Sequence, residues 1–116
     1  MAFTSIWTEV ARQQYQELRD NAEASLKARK ADKNKKASKA EGLFKQVNGC
    51  IQKLLYDPRN PGLQTHKYDS LINPYNQKHP VFEAYAQNRT PGAYRVFWCY
   101  GPRKDQITII AIAPHP

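Results

Sequence analysis

YRVFWCYGPRKDQITIIAIA (residues 94–113) decides the fold, because it holds two apolar segments separated by a turn. The first, YRVFWCY (94–100), is rich in the aromatic and β-branched residues that favour strands. The second, ITIIAIA (107–113), is apolar at nearly every position, which is typical of an interior strand covered on both faces. GPRKDQ (101–106) supplies the turn, so the two strands are predicted to lie antiparallel.

Segments on the N-terminal side of this stretch extend the sheet. VFEAYAQ (81–87) alternates apolar and polar residues, and NRTPGA (88–93) has the composition of a turn. The three strands therefore form an antiparallel meander. AFTSIW (2–7) is predicted to be a short first strand, and the segment 63–80 a loop that contains a short strand.

The residues after the first strand have a helical period. Thr8 is suited to cap the helix N-terminus, and Glu9 places an acid in its first turn. Apolar residues then recur at three- and four-residue spacing from Val10 to Leu26. Asn34 is predicted to break the helix, since no apolar stripe surrounds it.

A second amphipathic run covers 43–55 and ends at DPRNPG (57–62), where two prolines and a glycine stop a helix. Two helices joined in this way are predicted to form an antiparallel hairpin. A chain of 116 residues is long enough for one core. We therefore predict a single α+β domain, 1–116, with the helical hairpin packed on one face of a small antiparallel sheet.

Positive charge is concentrated between the two helices. The net charge of +8 suggests a polyanionic partner. KARKADKNKKASK (27–39), in a basic inter-helix stretch of about 27–41, has seven of the 18 Lys and Arg residues and one of the ten acids, so it carries +6. Two interpretations stay open, a nucleic-acid-binding patch and a solvated lysine-rich helical face.

The remaining composition predicts a cytoplasmic protein. MAFTSIWTEVARQQY (1–15) lacks the basic and then apolar regions of a secretion signal. No segment approaches the run of about 18 apolar residues that a membrane span needs. The two cysteines, Cys50 and Cys99, have no neighbour at metal-ligand or CxxC spacing, so both are predicted to be reduced thiols.

Arg95 is the most informative candidate for a functional residue. Because strand side chains alternate, Arg95, Phe97 and Cys99 share one face of their strand. If the other face meets the helices, a guanidinium held rigidly by a strand suits a phosphate oxygen. The alternative is that Arg95 pairs with Glu83 on the neighbouring strand.

Histidines supply the other candidates. His115 follows the last strand directly, and an imidazole there can exchange a proton near neutral pH. A histidine near a chain end is also a common bystander. His66 and Lys67, in LQTHKY (63–68), can reach a phosphate from their loop. His79 is most simply a surface residue.

Three motifs in this order resemble the RelE/ParE superfamily of bacterial toxins from type II toxin–antitoxin systems, whose fold is like that of microbial ribonucleases. They are LLYDPRNPGLQTHKY (54–68), GAYRVFWCY (92–100) and IAIAPHP (110–116). In the RelE-like branch the resemblance implies an endoribonuclease that cuts mRNA, usually on the ribosome, without metal or cofactor. It also implies a cognate antitoxin, with a toxin–antitoxin heterotetramer as a common assembly. Arg95 falls on the arginine that binds the scissile phosphate, and His115 on a catalytic position at the last strand's end.

The sequence departs from the family on the strand before Arg95. Some members carry paired lysines there, whereas this chain has VFEAYAQ (81–87). We expect Glu83 to act as the base instead, with Arg89 as a second cation. The remaining expected contacts to RNA are made by Tyr85, Arg103 and Lys104.

Two other functions stay open. One is a ParE-like inhibitor of DNA gyrase that performs no catalysis, which the missing lysine pair favours. The other is an attenuated orphan member that only binds an antitoxin. The terminal histidine favours the nuclease, since a protein that only binds has no need of one at that position.

Overall fold

The computed structural model describes residues 2–31 and 38–115. In chain order, its elements are β1 Thr4–Trp7, α1 Glu9–Ala31, α2 Lys39–Tyr56, a 3-10 helix Pro61–Leu63, β2 His66–Lys67, β3 Phe82–Tyr85, β4 Tyr94–Tyr100 and β5 Gln106–Pro114. The five strands form one sheet in the order β1-β5-β4-β3-β2. This α+β architecture is the predicted one, and the short strand expected within 63–80 is β2.

The meander of β3, β4 and β5 is antiparallel, as predicted. β1 differs, because it lies parallel to β5, with Thr4 opposite Gln106. The sheet is therefore mixed rather than wholly antiparallel. A four-residue strand carries no pattern that fixes its partner strand or its direction. Both are set by how the helical hairpin returns the chain to the sheet.

An irregularity in register explains the continuous apolar sequence of β5. Phe97 lies opposite Ala111, but Trp98 lies opposite Ile109, so Ile110 is an extra residue on β5. The shift lets Ile109 and Ile112 both join the buried cluster beneath the helices, although they are not an even number of residues apart.

Both helices pack on one face of the sheet. The cluster that they bury includes Ala11 and Leu18 of α1, Val47, Ile51 and Leu54 of α2, and Val96, Trp98, Ile107, Ile109 and Ile112 of the sheet. We call the opposite face of the sheet the outer face. Neither described helix has the length and apolar character that crossing a membrane requires.

The outer face is covered at one end by the loop that follows β2. The Tyr68 ring lies 4.7 Å from the Phe97 ring, and the Tyr75 hydroxyl lies 2.8 Å from the Thr108 hydroxyl. This cover leaves Cys99, on the outer face, fully buried. The expected open face is therefore restricted to the end where β4 begins.

The start of α1 is the predicted one, whereas α2 begins earlier than predicted. The Thr8 hydroxyl accepts from the Ala11 amide at 3.0 Å, as expected of a cap. α1 continues to Ala31, so residues 27–31 of the basic stretch are helical, and α2 already begins at Lys39. Asn34 lies outside the described residues. The sequence signal for the early start of α2 is a capping box, in which Ser38 and Glu41 bind each other's backbone amides.

Glu41 also ties the two helices together. The Arg29 guanidinium reaches it from the last turn of α1, with Nη2 2.7 Å from Oε1. The Ser38 amide donates to Oε2 at 2.8 Å. Hydrogen bonds from Arg29 and then from the Ser38 backbone lower the pKa of Glu41 to about 2.

This ion pair predicts an acid-sensitive contribution to stability. Because the folded protein lowers the pKa of Glu41, the contribution is complete above the unfolded value near 4.5 and is lost as the pH falls towards 2. We expect Glu41→Gln to lower the melting temperature at pH 7. At pH 2 we expect the variant and the native protein to have the same melting temperature. The control is Glu23→Gln, whose pair with Arg19 is about half exposed on both sides and contributes little. An equal loss at both pH values would contradict the role of the charge.

Candidate active site

A buried carboxylate between two histidines marks the outer face. Glu83 of β3 is fully buried, and its Oε1 and Oε2 face different imidazoles. His66 Nε2 lies 2.5 Å from Oε1, although Oε1 forms no hydrogen bond within the described residues. His115 Nδ1 forms a hydrogen bond of 2.8 Å with Oε2. We call these three residues the His–Glu–His group.

Backbone pairing positions each member of the group. In the β2–β3 ladder, His66 lies directly opposite Glu83, so both side chains point to the same face. His115 follows β5, and its amide donates to the Ala93 carbonyl at 2.8 Å, which continues the sheet beyond Pro114. A residue next to the chain terminus is thereby fixed in position.

The two histidines have different hydrogen-bond surroundings. In His66, Nδ1 lies 3.1 Å from the Gln64 carbonyl while Nε2 faces Glu83, so both nitrogens meet acceptors. In His115, Nδ1 faces Glu83. An ionised carboxylate can only accept, so in that state Nδ1 donates and Nε2 is left as the nitrogen that can accept a proton. The side chains of both histidines are about half exposed, at 48% and 46%.

Arg95 is fixed beside this group. Its Nη1 donates to the Gln87 carbonyl at 2.6 Å, and its Cζ lies 3.6 Å from the centre of the Tyr85 ring. Only 7% of Arg95 is exposed, and its Nε has no hydrogen-bond partner. The alternative pairing with Glu83 does not occur among the described contacts, because the register puts Tyr85 opposite Arg95 and Phe97 opposite Glu83.

Tyr85 lies between Arg95 and His66. Its ring also meets the His66 ring edge to face, with centroids 5.6 Å apart. Five of the residues selected from the sequence therefore meet at one place. They are His66, Glu83, Tyr85, Arg95 and His115.

The other selected residues lie elsewhere. Lys67 follows His66 on β2, so alternation turns it to the opposite face of the sheet. Arg89 is exposed in the turn between β3 and β4, in a left-handed conformation with φ of 59°. Arg103 and Lys104 are exposed in the β4–β5 turn, which lies at the other end of β4 from Arg95.

The role of His66 beside Glu83 is what sequence reasoning missed. The sequence placed His66 in a loop, because a two-residue strand leaves no periodic signal. Its pairing with β3 depends on a long intervening loop that returns over the sheet. The contact between His66 and Glu83 can be identified only from the strand register in the three-dimensional structure.

The cysteines take no part in this site. Both are free and buried. Burial raises the pKa of Cys50 to about 12 and the pKa of Cys99 to about 11. The two thiols are therefore protonated at neutral pH and are poor nucleophiles.

Comparison with known proteins places the fold. No family model matches the sequence, and no curated protein sequence matches it. Among solved structures, the chain is similar to a YoeB dimer from Staphylococcus aureus, with 13% identity, a TM-score of 0.57 and full coverage of both chains. It is also similar to a YoeB/ParE toxin from Agrobacterium tumefaciens, with 11% identity and a TM-score of 0.57 over 97% of this chain and 99% of that one.

A third similar structure is the archaeal RelE–RelB complex from Pyrococcus horikoshii OT3, with 15% identity and a TM-score of 0.55. The alignment covers 98% of this chain and 96% of that chain. Identities this low show the fold alone. Two helices on a five-stranded sheet, aligned over nearly the whole chain with three such proteins, show that this chain has the RelE/ParE-type toxin fold.

Proposed function

We propose that this protein is the toxin of a type II toxin–antitoxin system and cuts mRNA as an endoribonuclease. The observation that carries the proposal is the His–Glu–His group, in which a fully buried carboxylate holds two half-exposed imidazoles. Such a group orients proton carriers towards solvent. A protein that only binds DNA gyrase needs no proton carrier.

The chemistry requires one proton to move and one charge to be stabilised. The ribose 2′-oxygen attacks phosphorus and loses its proton, and the 5′-oxygen leaves and gains one. His115 Nε2 is the nitrogen free to accept the first proton, and the resulting imidazolium can return it to the leaving oxygen. Glu83 is too deeply buried to touch RNA, so it acts as a positioning residue that fixes the tautomer of His115.

Positive charge comes from Arg95, which lies beside this group. The Arg95 guanidinium is permanently charged and is held with little exposure, where its field is weakly screened by solvent. It stabilises the negative charge that develops on the pentavalent phosphorus. His66, half-exposed beside Tyr85, takes the place near the phosphate that the sequence assigned to Arg89.

The partners follow from the same proposal. A toxin of this kind acts on messages, on or near the ribosome, and is silenced by a cognate antitoxin. The likeness to the RelE of a RelE–RelB complex supports a protein partner of that class. The net charge of +8 supports binding to RNA.

Controlled expression in bacteria tests the function. We expect growth arrest with new mRNA 5′ ends inside coding regions, and we expect both to be lost in Arg95→Ala and His115→Ala. DNA supercoiling is scored in the same cells. Relaxed or broken DNA with intact messages would identify a gyrase inhibitor instead, and normal growth with intact messages would favour an orphan that binds only an antitoxin.

A further inference from the structure

The carbonyl that holds Arg95 lies at an irregular end of the β3–β4 pair. The Ala86 and Gln87 amides both donate to the Tyr94 carbonyl, at 3.2 and 3.1 Å. Two residues on one side facing one residue on the other is the arrangement of a β-bulge, which turns groups of the bulged strand out of the ladder. The Gln87 carbonyl has no backbone partner among the described residues and instead accepts from Arg95 Nη1 at 2.6 Å.

The side chain of Gln87 fixes this bulge from a second direction. Its Oε1 accepts from the Tyr94 amide at 3.1 Å, and its Nε2 donates to Gln46 Oε1 of α2 at 3.0 Å. Gln87 therefore binds Tyr94 twice, once through its own amide and once through its side chain. Because both the backbone and the side chain of Gln87 are tied to neighbouring elements, its carbonyl is held in place beside Arg95.

The hydrogen bond to Gln87 decides which nitrogen of Arg95 faces the site. Nη1 donates to the Gln87 carbonyl and, at 3.3 Å, to the Tyr94 carbonyl. Nε is enclosed and has no partner, and the Tyr85 ring covers one face of the guanidinium. Nη2 is neither enclosed nor bonded to a described residue. It is therefore the nitrogen that can meet a phosphate oxygen.

We propose that Gln87 is a positioning residue for Arg95, which holds Nη1 so that Nη2 is presented to the scissile phosphate. The inference rests on the proposed nuclease function. Gln87 acts through Arg95 rather than on RNA, because its carbonyl and both ends of its side-chain amide are already occupied within the protein. Misplacement of a reacting group by about 1 Å can cost about 10²-fold in rate, so a carbonyl that fixes the guanidinium affects catalysis.

The alternative is that Gln87 only stabilises the turn into β4. The two roles differ in how they depend on Arg95. A residue that acts through Arg95 has nothing further to contribute once Arg95 is replaced, whereas a residue that only stabilises the fold contributes equally with or without it. A double-mutant cycle between the two positions therefore separates them.

The cycle uses Gln87→Met, which keeps the length of the side chain and removes both of its hydrogen bonds. We expect kcat for RNA cleavage to fall about 10- to 100-fold while KM changes less than about threefold, because the lost alignment acts in the transition state. In single-turnover reactions of Arg95→Ala, the added Gln87→Met should lower the rate less than about twofold. The matched control is Gln52→Met, an exposed position of α2 that should keep the native rate within about twofold.

A spectroscopic measurement follows Arg95 without any RNA. Because Arg95 Nε is enclosed, its proton is protected from water and should give a resolved signal in ¹⁵N-labelled protein. Loss of this signal in Arg95→Lys assigns it. We expect Gln87→Met to shift or broaden the Arg95 signal, since the guanidinium is no longer held in one orientation, and Gln52→Met to leave the signal in place.

The proposal is overturned if the Arg95 signal is the same in the native protein and in Gln87→Met. It is also overturned if Gln87→Met lowers the cleavage rate by the same factor with and without Arg95, which would make Gln87 a structural residue of the turn. Cleavage by the native protein with an unchanged signal in Gln87→Met would keep the nuclease and reject the positioning role. A changed signal in a protein that cuts no RNA would keep Gln87 as the residue that orients Arg95 and reject the nuclease.

Discussion

His115→Ala is expected to lower the rate of message cleavage by about 10²- to 10⁴-fold, the usual contribution of a positioned acid–base group. The expectation follows from the free Nε2 of His115, whose other nitrogen is held by Glu83 at 2.8 Å. The assay uses purified protein and a defined message in a reconstituted translation mixture. Added imidazole should restore part of the activity to the variant, because the missing group is a proton carrier.

The matched control for this variant is His79→Ala. His79 is exposed in the loop before β3 and should change the rate less than about threefold, as expected for a surface substitution. Glu83→Gln keeps the shape of the side chain but removes its charge, and should lower the rate. Equal effects of His115→Ala and His79→Ala would contradict the assignment.

Arg95→Ala is expected to lower cleavage by about 10²- to 10³-fold, similar to removal of one group that stabilises charge in a transition state. The reason is its fixed position, with Nη1 bound to Gln87 at 2.6 Å and Cζ 3.6 Å from the Tyr85 ring. The same cleavage assay measures the effect. A thermal melt of each variant shows how much of the loss is structural, since the side chain is buried.

Two substitutions sharpen the test of Arg95. Arg95→Lys keeps the charge but loses the planar contact with Tyr85, so it should retain more activity than alanine. Arg89→Ala removes an exposed charge in the β3–β4 turn and should reduce the rate only severalfold, because solvent screens it. An effect of Arg89→Ala as large as that of Arg95→Ala would show that the β3–β4 turn supplies a second cation.

The strands of the meander were predictable because their sequences alternate or are uniformly apolar and are bounded by turn residues. β4 has the predicted bounds, and β5 exceeds its predicted range by one residue at each end. The parallel pairing of β1 was not predictable, because direction depends on how the helices return the chain. Nor was the shift at Ile110, since a run of apolar residues does not reveal where alternation breaks.

The five residues that meet at the candidate site had each been selected from the sequence, but their arrangement could not be. Strand alternation put Arg95 on the outer face, and the end of β5 located His115. Which residue of β4 lies opposite Glu83 depends on the cross-strand register, and the register places Phe97 there rather than Arg95. The sequence also predicted contacts to RNA from Arg103 and Lys104, but the length of β4 separates their turn from Arg95.

The chemical ends of the cut message test the central claim most directly. If the 2′-oxygen attacks phosphorus under the control of His115 and Arg95, the upstream fragment carries a 2′,3′-cyclic phosphate and the downstream fragment a 5′-hydroxyl. Mass spectrometry of a short message, cut by the native protein and left intact by His115→Ala, is expected to show these ends. A 5′-phosphate on the downstream fragment, or equal cutting by the variant, would contradict the account.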